Sequence, residues 1–228
     1  RYTFFISYRM IKAILFGSIG TIIETSEIQR ASFNQAFLEK GLDWYWSKET
    51  YKKLIKKSGG SKRIKDFAKK NQVNIDSNLL REKKTEIFNK KLKTEKIPPR
   101  EGVIEIIEYA KSHNVKIGLA STTSTDNINA LFTTVSNVIY KNDFDFIGSR
   151  TVVDKPKPEP DIYFKAIRSL GINSKECVAI EDSYESALSA YKTNIKCIAF
   201  PGAYHMDDDF KICQKKLNKL DISIFDIS

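Results

Sequence analysis

The chain has 228 residues, enough for one sizeable domain or a core with a smaller insertion. Its 41% hydrophobic and 11% aromatic content excludes a disordered chain, and no apolar run approaches the roughly 18 residues of a membrane span. The net charge of +10 is confined to residues 26–98, which hold 19 Lys and Arg against 9 Asp and Glu; the other 19 basic and 19 acidic residues cancel. A basic module beside a neutral remainder points either to an anionic partner or to a lysine-rich solvated surface. The basic runs carry no nucleic-acid reader motif and no interleaved aromatics, which argues against nucleic acid as that partner.

The opening stretch, residues 1–9, makes a poor signal peptide and reads as an extension upstream of a start at Met10. Cys177, Cys197 and Cys213 match no metal or disulfide spacing. An odd number of thiols without a secretion signal points to a reducing, cytoplasm-like compartment, with Cys177 and Cys197 buried in apolar strands.

The first structural element is the apolar run Ala13–Phe16, which has the texture of a strand buried on both faces. The turn Gly17-Ser-Ile-Gly-Thr21 ends it and presents backbone N–H groups at the carboxyl edge of a sheet, where open α/β folds bind ligands. Residues 26–98 then read as helices only. A capping-box pattern at Ser26–Gln29 starts the first, with Ile28, Phe33 and Phe37 on its apolar face. Further helices are expected over 47–57, 60–71 and 76–94, and Ile97-Pro-Pro-Arg100 is a stiff connector that closes the segment. From residue 101 strand and helix alternate. Helices are expected over 101–113, 124–134, 160–170 and 184–192, with strands over 115–120, 144–147, 178–180 and 195–200. A last edge strand is expected over 222–227. This alternation predicts a doubly wound parallel sheet with helices on both faces, interrupted after its first strand by a helical insertion.

Three further polar groups fall at expected strand ends. Ser121-Thr-Thr-Ser124 offers hydroxyls and helix-start N–H groups to a phosphate oxygen, although Ser and Thr there also serve as plain helix caps. In Asp154-Lys-Pro-Lys-Pro-Glu-Pro-Asp161 the prolines aim Lys157 in a fixed direction, so its ammonium can neutralise developing negative charge. Adjacent carboxylates, Glu181-Asp182, suit Mg²⁺, a hard cation that keeps most of its waters.

Taken in order, these groups resemble the haloacid dehalogenase (HAD) phosphatase superfamily, and within it the CbbY-type sugar-phosphate phosphatases related to β-phosphoglucomutase. The resemblance rests on Glu24-Thr25 with Arg30, Phe33 and Asn34, on Gly59-Gly60 with Arg63-Ile64, and on Ala120–Ser124 with Asn127. Lys157-Pro-Glu-Pro-Asp-Ile-Tyr163 and Cys177-Val-Ala-Ile-Glu-Asp-Ser183 complete it, so that it spans nearly all of the chain after Met10. It implies a HAD-like Rossmannoid core formed by 10–25 and 99–228 beneath an α-helical cap formed by 26–98. By resemblance Ser121 binds the transferring phosphoryl group, Lys157 neutralises it, and Glu181 and Asp182 support Mg²⁺. Glu24, Arg63, Thr122 and Asn127 are implied to contact the substrate, a small phosphorylated molecule such as a sugar phosphate.

The chain departs from that family at its first motif. The nucleophile position is Gly17 and the acid/base position two residues on is Ile19. Neither side chain attacks phosphorus or carries a proton, and removing general acid/base catalysis alone costs about 10²–10⁴-fold in rate. Loss of a carboxylate ligand at position 17 also weakens Mg²⁺ binding. Gln29, Ser61-Lys62 and Ser186 depart from the family's usual His, Lys-Glu and Gly. The leading expectation is therefore a phosphatase fold with hydrolysis lost or severely impaired that still binds a sugar phosphate or another anion. The alternatives are an active Mg²⁺-dependent hydrolase using a substitute carboxylate such as Glu24, and an interaction protein working through its basic cap.

Overall fold

The computed structural model describes residues 11–57 and 59–227, so the expected start at Met10 lies outside the described residues. Six parallel strands form one sheet: β1 (Ala13–Phe16), β2 (Lys116–Leu119), β3 (Phe146–Ile147), β4 (Cys177–Glu181), β5 (Lys196–Ala199) and β6 (Lys215–Lys216), in the order β3-β2-β1-β4-β5-β6. The α/β class and the parallel sheet are as the alternation of elements predicts. β1 is central because its four residues are all apolar and fully buried, so helices must cover both of its faces. Ile14 and Phe16 join the core beneath α6 (Val103–Ser112) and α7 (Thr125–Thr134), while Ala13 and Leu15 face α8 (Asp161–Leu170) and α9 (Tyr184–Tyr191). Burial of Ile14, Leu15 and Phe16 contributes about 1.5–3 kcal/mol for each side chain.

Between β1 and α6 lie a short turn of helix, α1 (Ile19–Ile22), and the helices α2 (Ser26–Glu39), α3 (Lys48–Leu54), α4 (Gly60–Lys70) and α5 (Ser77–Thr94). Phe33, Phe37, Trp46, Tyr51, Ile64 and Leu80 form a separate aromatic-rich core there. α5 serves both cores, since Leu80 packs in the insertion while Phe88 and Leu92 pack in the main core. Ser47 and Asp76 cap α3 and α5 by accepting from the N–H of Thr50 and of Asn78 and Leu79.

Three local expectations are corrected. The capping box at Ser26 does not form: Thr25 precedes the helix, no side-chain cap bond is made, and the Ser26 N–H donates instead to Glu24 Oε1 at 2.7 Å. Residues 222–227 are not a strand; Ile222–Phe225 make a 3₁₀ turn that buries Ile224 under α6. The sheet edge is instead the exposed pair Lys215–Lys216, and β3 begins at Phe146 rather than 144.

The register sets the site. Phe16 lies opposite Leu119 and Ile180, so Gly17, Ala120 and Glu181 follow side by side at the carboxyl edge. Gly102, which starts α6, is required by packing: its φ is +89°, and an added Cβ would stand 2.0 Å from the Leu220 carbonyl oxygen.

Candidate active site

Lys157 reaches the end of β1 from the loop before α8. Its ammonium donates to the Gly17 carbonyl and to Glu181 Oε1, each at 2.5 Å, with 6% of the lysine side chain and none of the glutamate exposed. Tyr163, in the first turn of α8, donates its hydroxyl to the same carboxylate oxygen at 2.5 Å. Burial pushes the Glu181 carboxyl upward, and Lys157 opposes that shift. The Tyr163 phenol is pushed far up by burial and by Glu181.

The absence of a side chain at position 17 has a direct consequence. A Cβ there would stand 2.0 Å from Glu181 Cδ and 2.1 and 2.3 Å from its two oxygens. The glutamate thus occupies the volume of the missing side chain. Its Oε2, like Ser18 Oγ and Asn127 Oδ1, is buried and has no hydrogen-bond partner among the described residues. Ile19 is 6% exposed and packs into the main core, and Gly20 is held to glycine by Asp182, whose Oδ2 would lie 2.1 Å from a Cβ.

A cleft of about 310 Å³ opens between these strand ends and the helical insertion. Asp182, Ser183, Thr123 and Asn127 line its floor, and Arg63, Arg81 and Lys84 line the cap side. Of the candidate phosphate-, substrate- and metal-binding residues expected from sequence, Asp182, Asn127 and Arg63 meet in this cleft. Gly17, Lys157 and Glu181 converge on one another beneath its floor and do not line it. Ser121 is 3% exposed and its hydroxyl accepts from the Thr123 N–H at 3.2 Å, while Thr122 is half-buried beside it. Asn127 donates to Thr123 Oγ1 at 2.7 Å. Glu24 stands apart, with Oε1 held by the Ser26 N–H and Oε2 by the Ala203 N–H at 2.9 Å. It pins the start of α2 to the loop after β5.

The sequence reading missed the most unusual cation. Lys84 is 7% exposed, lies 4.9 and 4.6 Å from the ring centroids of Phe33 and Phe88, and donates to Gln29 Oε1. Burial, with Arg63 and Arg81 nearby, pulls its ammonium down to about 7. Arg63 donates to the carbonyls of Leu54 and Lys57 at 2.9 and 3.0 Å, and burial holds its guanidinium below its usual value. Among the described residues no carboxylate lies within ion-pair distance of Arg63, Arg81 or Lys84. The signal that marks Lys84 is its spacing: Leu80, Lys84, Phe88 and Leu92 stand four apart and share the buried face of α5. On the opposite wall burial raises Asp208, but hydrogen bonds from His205 and Lys56 outweigh it and hold the carboxyl well below the usual range.

A haloacid dehalogenase-like hydrolase profile matches residues 14–200. The chain belongs to this family. Protein CbbY of Rhodobacter capsulatus is 31% identical over 217 residues, covering 92% of this chain and 94% of that protein. Protein CbbY of Cereibacter sphaeroides is 34% identical over 204 residues, covering 88% and 89%. Among solved structures, CbbY from Rhodobacter sphaeroides in complex with phosphate superposes with a TM-score of 0.86 at 31% identity, covering 96% of this chain and all of that one. A mutant form of the same protein in complex with xylulose-(1,5)bisphosphate gives 0.83 at 32% identity, covering 92% and 95%. The resemblance to CbbY-type proteins is thereby borne out.

Members of the family generally use Mg²⁺, and the residues here fit that ion poorly. Position 17 supplies no side-chain oxygen and its carbonyl is held by Lys157, Glu181 Oε1 is held by Lys157 and Tyr163, and only Asp182 of the acidic pair lines the cleft. Among the described residues no three His, Cys, Asp or Glu side chains gather to hold a metal. A hard cation needs a shell of oxygen ligands, and this arrangement does not assemble one.

Proposed function

We propose that the protein keeps the HAD/CbbY phosphatase fold, has lost or nearly lost phosphomonoester hydrolysis, and binds a sugar phosphate between cap and core. The observation that carries the reading is the end of β1, where Gly17 and the buried Ile19 stand at the positions that the family resemblance assigns to the nucleophile and the acid/base. Without a nucleophile and a proton carrier, only positioning and electrostatics remain to accelerate the reaction.

Binding is supported by the cleft itself. Its volume of about 310 Å³ lies within the range of small-ligand sites. Lys84, Arg63 and Arg81 give its cap side an excess of positive charge that suits a phosphate, and Thr123, Asn127 and Ser183 offer polar groups to sugar hydroxyls. The bisphosphate held by the CbbY relative makes a pentulose phosphate the first ligand to try. The substitute carboxylate Glu24 gains no support, because both of its oxygens already accept backbone N–H bonds.

The test is phosphate release from a panel of sugar phosphates with Mg²⁺, alongside titration of the same compounds against the protein. Release no faster than the enzyme-free rate, with saturable binding weakened by Arg63→Gln, is the expected outcome. Metal-dependent turnover abolished by Asp182→Ala overturns the reading.

A further inference from the structure

We propose that the core end of the cleft is closed by an internal ion pair, Glu181 with Lys157, so that the protein takes its ligand without a divalent cation. This deepens the functional reading above by naming how the cleft works, but its test needs no ligand from that reading.

The argument starts from volume. Protein interiors are close-packed, and deleting a side chain leaves a void whose walls lose contacts unless a neighbour moves in. At Gly17 the neighbour is Glu181, whose three carboxylate atoms lie 2.0–2.3 Å from the position of a Cβ. The register places it there, because Gly17 and Glu181 follow the paired residues Phe16 and Ile180 on adjacent strands. A carboxylate drawn into a dry interior needs a counter-charge, and the Lys157 ammonium supplies it at 2.5 Å while also holding the Gly17 carbonyl. Tyr163 adds a hydroxyl donor to the same oxygen.

The glycine, the inward glutamate and the lysine are therefore one unit. Turning Glu181 outward to ligate a cation would reopen the void beside Gly17 and deprive Lys157 of this carboxylate. None of the three lines the cleft, whose floor is made instead by Asp182, Ser183, Thr123 and Asn127. The phosphate of a bound ligand then has its positive partners on the cap side, at Lys84, Arg63 and Arg81. The Lys157 ammonium is committed to a carboxylate of the protein itself.

The experiment is chemical rescue. Glu181→Ala opens a pocket walled by the Lys157 ammonium, the Gly17 carbonyl and the Tyr163 hydroxyl, and it lowers the melting temperature. Acetate and formate, compared with chloride at equal ionic strength, are expected to restore that temperature in a saturable way. They should bind the variant about tenfold or more tighter than the unaltered protein. Glu181→Gln keeps the space filled and is expected to show no rescue. If Glu181→Ala folds only in the presence of acetate, that result also supports the proposal. In a second arm that needs no variant, Mg²⁺ is titrated calorimetrically into the unaltered protein and is expected to give no saturable heat.

Glu181→Ala that is indifferent to acetate, or saturable Mg²⁺ binding by the unaltered protein that is lost in Glu181→Gln, overturns the proposal. Failure of every sugar phosphate to bind would sink the functional reading while leaving both arms informative.

Discussion

Replacing Lys84 by Met makes a sharp electrostatic test, because among the described residues the buried ammonium is partnered by Gln29 and two aromatic faces and by no carboxylate. Burial lowers its pKa from 10.5 to about 7, so between those values the unfolded chain binds more protons than the folded one and stability rises with pH. Below about pH 7 both states are protonated and the full penalty applies, about 5 kcal/mol for the whole shift at 1.36 kcal/mol per pKa unit. Between pH 7 and pH 9 the single-site linkage relation returns about 2 kcal/mol of this. Lys84→Met has no such proton, so the gap between variant and unaltered protein is expected to shrink by about 2 kcal/mol over that interval. Urea unfolding of both proteins at several pH values measures it, and differencing cancels the groups they share. A gap that does not change with pH refutes the reasoning about this cation. Loss of the same proton weakens anion binding, so affinity for a phosphorylated ligand is expected to fall as pH rises through 7 in the unaltered protein and to stay low and flat in Lys84→Met.

Other outcomes follow from the geometry. Gly17→Ala alone forces the Glu181 carboxylate out of its place and is expected to destabilise by about 1–3 kcal/mol, the usual cost of overpacking, read by denaturant titration. Gly17→Asp with Ile19→Asp restores both working carboxylates and displaces Glu181 toward the cleft; some Mg²⁺-dependent phosphatase activity is expected, and a folded but inert double variant would show that the cleft has diverged further. Lys52 of α3 and Lys56, two residues past its end, pair with Asp207 and Asp208 of the loop after β5, so Lys52→Ala with Lys56→Ala is expected to cost about 0–1 kcal/mol for each pair while speeding hydrogen exchange in α3. Burial raises the Cys177 thiol to about 12, so it is expected to resist thiol reagents at neutral pH in the folded protein and to react on unfolding.

Sequence pattern revealed the elements wherever apolar spacing carried the information. The run Ala13–Phe16, the alternation after residue 101 and the proline connector at 97–100 read directly as central strand, parallel sheet and end of the insertion. The misreadings were local. Ile222–Ile227 has strand-like side chains, yet Ile224 is buried under α6 from a 3₁₀ turn, while the edge strand uses two exposed lysines that no hydrophobic alternation marks. Lysine at a sheet edge protects it from pairing with other chains, which is why that strand looks like surface. At the site, the order of motifs led to Lys157, Glu181, Asp182 and Asn127 but not to their directions. The inward turn of Glu181 depends on the void at Gly17, 164 positions away in the chain, and pattern along one segment does not encode it. Lys84 was legible in its spacing with Leu80, Phe88 and Leu92, but stood hidden among the lysines of a basic module.

The central claim, a ligand-binding cleft without hydrolysis, is tested most directly by following xylulose-1,5-bisphosphate with the protein and Mg²⁺ by phosphorus NMR. The account predicts ligand resonances that shift or broaden on binding while no inorganic phosphate accumulates above the protein-free sample. Inorganic phosphate that grows with time in proportion to protein, and that vanishes with Asp182→Ala, would contradict it.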